Sequence, residues 1–247
     1  MKMITLGTSH GDFTYCRFNS STLFIIGDKY YLFDCGSPAA GLMTRKGLDN
    51  TRIRAIFNTH MHIDHIGGLP AMLLALTKYP SPESHTDIYL AENKVAEIYS
   101  YMHALHMEEH PDKVSFHTTE EGLVYDDGTL KVTAIPTDHI PRREGTKPIT
   151  FAYLLEAEGK RILYSGDLRG DFADFPKEVE ADICVCEATH YPPEKAIPVF
   201  LEKGYSRLIF NHVHNPWHGE GEKTLLSIYA PLPYPISVAH DGDEFEF

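Results

Sequence analysis

Apolar residues recur along this chain in short bursts, many rich in β-branched and aromatic side chains, with Gly, Asp or Pro between them. Residues 2–6, 21–26 and 30–33 read as strands, the last two closing a hairpin on Gly27-Asp28. Strands at 53–57, 88–90, 114–118 and 123–125 follow, and Asp126-Asp127-Gly128 turns the chain into 130–135, which stops at Pro136. A further hairpin, 149–156 with 160–164, turns on Glu158-Gly159. The runs 183–186, 207–210, 236–239 and 244–247 complete the strands. Wider apolar spacing predicts helices over 39–47, 69–76, 92–109, 194–203 (interrupted at Pro198) and 222–229. No linker divides the chain, so residues 1–247 read as one domain. Hairpins followed by strand-helix-strand units predict two sheets sandwiched by helices.

The polar residues that carry chemistry collect where strands stop. The densest stretch is Asn58-Thr59-His60-Met61-His62-Ile63-Asp64-His65-Ile66-Gly67-Gly68, between the 53–57 strand and the 69–76 helix. Its three histidines and one carboxylate suit a zinc-like cation, because neutral imidazole and carboxylate both bind such metals. Positions i, i+2, i+4 and i+5 do not share a helix face, so an extended or irregular loop must bring them together. Thr137-Asp138-His139, Ser165-Gly166-Asp167, Glu187-Ala188-Thr189-His190 and Asn211-His212-Val213-His214 also sit at strand ends, as do His10 and Asp34. The 92–109 helix carries His103, His106 and His110 without a carboxylate at metal-type spacing. It reads as a helical flap at about 92–110, with Tyr99, Met102 and His106 shaping a pocket.

Composition narrows the partners. A net charge of -13 repels nucleic-acid phosphates, and Arg142-Arg143 is only a pair, so nucleic-acid binding is disfavoured. Two bound dications would offset part of that charge locally. Cys16, Cys35, Cys184 and Cys186 form no C-x-x-C pair and read as buried free thiols, Cys184 and Cys186 on one face of a strand. The first apolar run is too short for a signal peptide, and no run reaches membrane-spanning length. The expectation is a cytoplasmic protein with no membrane partner.

The motif His60-x-His62-x-Asp64-His65 resembles the signature of the metallo-β-lactamase-fold hydrolases. Leu32-Phe33-Asp34-Cys35-Gly36, Ser165-Gly166-Asp167, Glu187-Ala188-Thr189 and Asn211-His212, in that order, are similar to segments of their ribonuclease Z-like branch. The resemblance runs from about Met3 to the C-terminus. It implies an α/β (α+β) fold, a four-layer αββα sandwich with a two-metal site at the sheet edge. One divalent ion would take His60, His62 and His139, the other Asp64, His65 and His212, with Asp167 bridging. Zinc is expected, with manganese or iron as alternatives. Two cations can hold a shared hydroxide, which Asp64 would orient or deprotonate. His10, Asp34 and Asp138 become candidates for orienting ligand imidazoles.

Two departures bear on the substrate. Cys186 stands where tRNA-processing members carry a His before Glu-Ala-Thr. His139 and Asp167 are only 28 positions apart, where those members have a substrate-gripping arm. The chain looks more like the branch's compact phosphodiesterases, in which a His after the acidic segment contacts phosphate and protonates the leaving group. His190 occupies that place; the other reading is a histidine hydrogen-bonded to Glu187. His214 and His106 are further substrate-contact candidates. The expected activity is hydrolysis of a small or cyclic phosphodiester. The alternatives are hydrolysis of a lactone, sulfate ester or thioester, and ribonuclease Z-like cleavage of RNA. The partners implied are a small-molecule phosphodiester and a second copy of the chain, as a homodimer.

Overall fold

Along the first strands Met3, Phe24, Tyr31, Phe33, Ala55 and Phe57 point to one side, while Ile4, Leu23, Leu32 and Ile56 point to the other; both sets are buried. A sheet apolar on both faces must be covered on both. In the computed structural model, which describes residues 1–12, 14–141 and 145–247, a second sheet covers one face and helices cover the other. The Arg142-Arg143 pair lies outside the described residues.

The first sheet contains β1 (Lys2–Gly7), β2 (Ser21–Ile26), β3 (Lys29–Phe33), β4 (Ile53–Phe57), β5 (Thr86–Leu90) and β6 (Val114–Thr118). The second contains β7 (Gly122–Asp126), β8 (Lys131–Pro136), β9 (Phe151–Ala157), β10 (Lys160–Tyr164), β11 (Ile183–Ala188), β12 (Arg207–Val213) and β13 (Ile236–Val238). The last strand, β14 (Glu244–Glu246), returns to the first sheet beside β1. Among the described residues this makes two mixed seven-stranded sheets, ordered β14-β1-β2-β3-β4-β5-β6 and β13-β12-β11-β10-β9-β8-β7. In both, antiparallel hairpins give way to parallel strands, β3 to β6 and β10 to β13. The carboxyl ends of parallel strands share one edge, where ligand-binding loops collect.

Between the sheets an aromatic core forms, with Phe33 stacked on Phe57 (4.9 Å between centroids) and Phe57 on Tyr89 (5.1 Å). Outside the first sheet lie α1 (Ala39–Arg45), α2 (Ile63–Ile66), α3 (Leu69–Thr77) and α4 (Val95–Ala104), burying Met43, Met72, Leu73, Leu76 and Met102. Outside the second lie α5 (Pro193–Leu201) and α6 (Gly221–Ile228), which bury Ala196, Phe200 and Leu225. The expected αββα layering is therefore present.

Local departures have physical reasons. The helix expected over 92–109 is only Val95–Ala104, and His106 follows it with φ 57, a left-handed residue that cannot continue a helix. α5 runs through Pro198 instead of breaking there, since the buried Ala196 and Phe200 hold it against the second sheet. β12 extends to Val213, so Asn211 and His212 belong to a strand and not to the loop after it. Cys35, Cys184 and Cys186 are buried thiols, but Cys16 is exposed. No helix among the described residues is long and apolar enough to cross a membrane.

Candidate metal centre

β4 ends at Phe57, and the chain runs extended through His60 to His62 before α2 begins. Half of the His/Asp cluster is thus extended, as its spacing predicts. Asp64 and His65 instead ride a single helical turn, both buried. That turn rests on the Asp34–Gly36 segment. Cys35 N donates to His65 O (2.7 Å) and Gly68 N to Cys35 O (2.8 Å). Gly36 and Gly68 make this closeness possible: a Cβ on Gly36 would fall 2.3 Å from Asp64 O, and one on Gly68 2.5 Å from Gly36 O. Asp34 is fully buried and accepts from His65 Nδ1 (2.9 Å), Thr59 N (2.8 Å) and Thr59 Oγ1 (3.0 Å). A carboxylate only accepts, so His65 carries its proton on Nδ1 and presents Nε2 to the centre. Thr59 Oγ1, its proton given to Asp34, accepts from His60 Nδ1 at 3.0 Å, which likewise frees His60 Nε2.

The second sheet supplies the rest, one or two residues per strand end. His139 follows β8 and donates Nδ1–H to Leu168 O (3.2 Å). Asp167 follows β10. His212, in β12 with φ 48, points Nδ1 at Thr189 Oγ1 (3.2 Å), a hydroxyl that itself donates to His212 O. His190 is held through Nδ1 by both oxygens of buried Glu187 (3.0 and 2.9 Å). Glu187 also accepts from Leu168 N (2.7 Å), Thr189 N (3.0 Å) and His190 N (2.9 Å).

These side chains converge. The donor atoms of His60, His62 and His139 lie within 4.8 Å of one another, and so do those of Asp64, His65 and His212. Asp167 joins His60 with His65, and His139 with His190. His65 Nε2 and His212 Nε2 approach to 3.1 Å, and His139 Nε2 and His62 Nδ1 to 3.4 Å. Bare imidazole nitrogens gain little by facing each other, whereas a shared cation makes such an arrangement favourable. His60 Nε2 and Asp167 Oδ1 are buried without a hydrogen-bond partner among the described residues, a costly state that a cation would relieve. The donor set therefore fits divalent ions, and its nitrogen-rich character suits zinc.

The electrostatics divide. Burial would lower the His65 pKa, but the charges of Asp167 and Asp34 outweigh it and raise it well above its ordinary value, so a cation there displaces a proton. Burial and the neighbouring His65 push the His60 pKa well below its ordinary value, keeping a lone pair available. Burial alone would raise Asp64, but the imidazoles of His212 and His65 beside it outweigh this and keep the carboxylate ionised. Burial would also raise Asp167; His212 and His65 bring it well below the ordinary range. Burial lowers His190, yet the Glu187 hydrogen bond and charge, with Asp167, lift it to about 9.

Of the remaining expected site residues, Asp34 and Glu187 stand directly behind His65 and His190. Asp138 lies beside His139, its N–H donating to Asp174 Oδ2 (2.8 Å). His10 is buried near His214, the ring centroids 5.0 Å apart. His106 is an exposed residue past the end of α4, apart from the converging side chains. Sequence reasoning did not single out Thr59 and Thr189, whose hydroxyls fix the imidazoles of His60 and His212; only their positions beside His60 and His190 signalled them. It also passed over Arg169 and Asp171. With Asp138, His139, Gly170 and His190 these line a cleft of about 1040 Å³ beside the centre.

Fold and site together are those of the metallo-β-lactamase fold in its ribonuclease Z-like branch. Residues 1–188 match the family model described as anti-Pycsar protein Apyc1, and the chain belongs to that family. It is 31% identical to a ribonuclease Z of Listeria monocytogenes serovar 1/2a, over all of this chain and 99% of that protein. It is 34% identical to a ribonuclease Z of Picosynechococcus over 56% of this chain and 44% of that protein. The chain spans about half the length of the curated relatives first matched. Among solved structures, the metallo-β-lactamase-fold protein YhfI from Bacillus subtilis superposes with TM-score 0.78 at 17% identity, covering 100% of this chain and 99% of that one. A new diphosphatase from the PhnP family gives TM-score 0.72 at 21% identity, covering 100% and 97%.

Proposed function

We propose that this chain is a two-metal phosphodiesterase acting on a small or cyclic phosphodiester. One divalent ion, zinc first among the candidates, would be held by His60, His62 and His139. A second would be held by Asp64, His65 and His212, with Asp167 contacting both. Cations bound there supply positive charge that offsets charge on a phosphoryl group and makes water more acidic. Asp64, ionised and at the edge of the centre, orients the attacking water and takes its proton. His190, kept protonated by Glu187 at Nδ1 (which lies 3.8 Å from Asp167 Oδ2), gives its Nε2 proton to the leaving oxygen.

The observation that carries this reading is the convergence of seven donors with a carboxylate-backed, cationic histidine beside them. The net charge of -13 favours a small substrate over RNA. So does length: the alignment with the Listeria ribonuclease Z runs over 305 positions against 247 residues here, so that relative carries insertions this chain lacks. The relatives' name keeps ribonuclease Z-like RNA cleavage as a second reading.

The test is metal content per chain on protein purified without chelator, with hydrolysis assayed on the same sample. The substrates are bis-p-nitrophenyl phosphate, a precursor-tRNA transcript, a lactone, a sulfate ester and a thioester. About two metals with turnover of the phosphodiester and not of the transcript supports the proposal. Cleavage of the transcript at comparable efficiency moves the reading to RNA, and turnover of only a non-phosphate ester rejects it.

A further inference from the structure

The scheme above leaves one side of the phosphodiester unplaced, the leaving alcohol. The cleft beside the centre holds about 1040 Å³ and is lined in part by His139 and His190 of the centre itself. Beyond them Arg169, Gly170 and Asp171 line it. Apart from the two imidazoles, no aromatic ring lines it among the described residues, so it lacks the platform on which a flat base would stack.

The segment that carries Arg169 is braced. Asp174 accepts from Arg169 N (2.9 Å) and Asp138 N (2.8 Å), so one carboxylate ties two lining segments together. Leu168 N donates to Glu187 Oε1 (2.7 Å), and Leu168 O accepts from His139 Nδ1 (3.2 Å). Gly170 packs on the backbone of His190, where a Cβ would fall 3.2 Å from His190 O. Side chains mounted on so fixed a segment keep their places.

Two such side chains pair. Arg169 Nη2 donates to Asp171 Oδ2 (2.8 Å), and Asp171 Oδ1 accepts from Ala173 N (3.1 Å). The side chains are 47% and 50% exposed, and so open a pair contributes little to stability. The guanidinium makes no other hydrogen bond or ion pair among the described residues, so its remaining N–H groups are free to meet a ligand. A donor fixed beside an acceptor is the complement of neighbouring hydroxyls, each of which both accepts and donates.

We propose that the cleft receives the leaving alcohol and that Arg169 and Asp171 select one that carries neighbouring hydroxyls, as glycerol or a sugar does. Arg169 donates to one hydroxyl oxygen, and Asp171 accepts from the next. The inference rests on the phosphodiesterase reading, in which His190 gives its proton to the leaving oxygen and so sets that group on its own side. The water oxygen forms the new bond to phosphorus and its proton goes to Asp64. The bond to the alcohol breaks, and the alcohol oxygen keeps the electron pair and takes the His190 proton. The products are a phosphomonoester and the free polyol.

The experiment follows which bond breaks. Glyceryl methyl phosphate is given to the metal-loaded protein, and released glycerol and methanol are measured, with propyl methyl phosphate as the control that lacks hydroxyls. Bis-p-nitrophenyl phosphate is assayed on the same sample. The wild type is expected to release glycerol over methanol roughly tenfold or more, and propanol over methanol within about threefold. Arg169→Met keeps an unbranched stem without donors. Asp171→Asn keeps the Oδ1 that Ala173 N uses and replaces the other acceptor. Both should bring the glycerol preference down to that of the propyl ester. The ratio comes from one substrate, so it does not depend on how much protein is folded or loaded. A wild type with the same preference for both esters overturns the inference, as does a glycerol preference unchanged within twofold in Arg169→Met. Turnover of bis-p-nitrophenyl phosphate with neither dialkyl ester overturns it too and leaves the proposed function standing. Turnover of no phosphodiester at all rejects that function, and this inference falls with it.

Discussion

The candidate metal centre is assembled from two halves built on different principles. The first-sheet half, His60 to His65, is continuous in sequence and stands on one buried acid, Asp34, reached through Thr59 and His65. The second-sheet half is discontinuous: His139, Asp167, His190 and His212 come from four strand ends, and the three histidines have separate supports at Leu168 O, Glu187 and Thr189. A contiguous loop can be pre-shaped by one carboxylate beneath it. A dispersed set is correct only when a whole sheet is in register, so it needs many local braces. The difference should show in what each half loses on mutation.

Asp167 belongs to both halves, since it contacts His60 and His65 on one side and His139 and His190 on the other. Asp167→Ala should give the largest effect: fewer than two metals per chain and a loss of turnover of roughly a thousandfold or more, read by metal analysis and phosphodiester hydrolysis. Full activity with intact metal content would dismantle the two-metal assignment.

His190 tests the second half alone. His190→Ala should lower kcat by about a hundredfold for esters with poor leaving groups and far less for p-nitrophenyl esters, with metal content unchanged. An equal loss for both classes would argue against proton donation. Burial lowers its pKa, but Glu187 and Asp167 raise it further, to about 9. The raised value means that the proton is held through neutral pH and lost as pH rises past about 9. Rates with poor leaving groups should therefore fall above pH 9 in the wild type, and Glu187→Gln should move that fall to lower pH.

Asp34 tests the first half. Asp34→Asn keeps the shape but removes the charge that fixes the His65 tautomer. It should weaken metal binding about tenfold to hundredfold, measured by competition with a chelator. If metal affinity holds while Glu187→Gln lowers it, the division of labour between the halves is reversed.

The same contrast explains what the sequence made legible. His60 to His65 could be read directly because its ligands are neighbours in the chain, and most strands were visible as apolar bursts between turn residues. The second half could be ordered only through family resemblance: His139, Asp167 and His212 are each a single letter at a strand end, and their convergence depends on the β8–β9–β10–β11–β12 register. Helix ends were blurred for a related reason. The stop at His106 is a backbone conformation of a residue type that also fits helices, and Pro198 is tolerated because the packing of α5 overrides its local preference. Thr59, Thr189 and Asp174 were invisible, since a hydroxyl or carboxylate that braces a neighbour carries no spacing signal.

The halves are joined at the far end as well, where β3 and β8 begin. Asp127, in the turn before β8, accepts from Lys29 Nζ (2.8 Å) and Tyr31 Oη (2.8 Å) on β3, so one carboxylate ties the two sheets together away from the site. Partial burial raises its pKa, but the Lys29 hydrogen bond, the Leu130 amide and the Tyr31 hydroxyl outweigh this and set it below the ordinary value. A depressed carboxylate contributes stability that is present above its unfolded pKa of about 3.9 and is lost as pH falls below it. Because the pair with Lys29 is partly open to water, Asp127→Ala should cost only about 1 kcal/mol, roughly 2–4 °C in Tm at neutral pH. The wild-type advantage should shrink steadily below about pH 4. Metal content and kcat should not change, because the tie lies at the opposite end of the sandwich from the centre. A lowered kcat in Asp127→Ala would mean that the register of the sheets, and so the dispersed half of the site, is set from both ends of the sandwich.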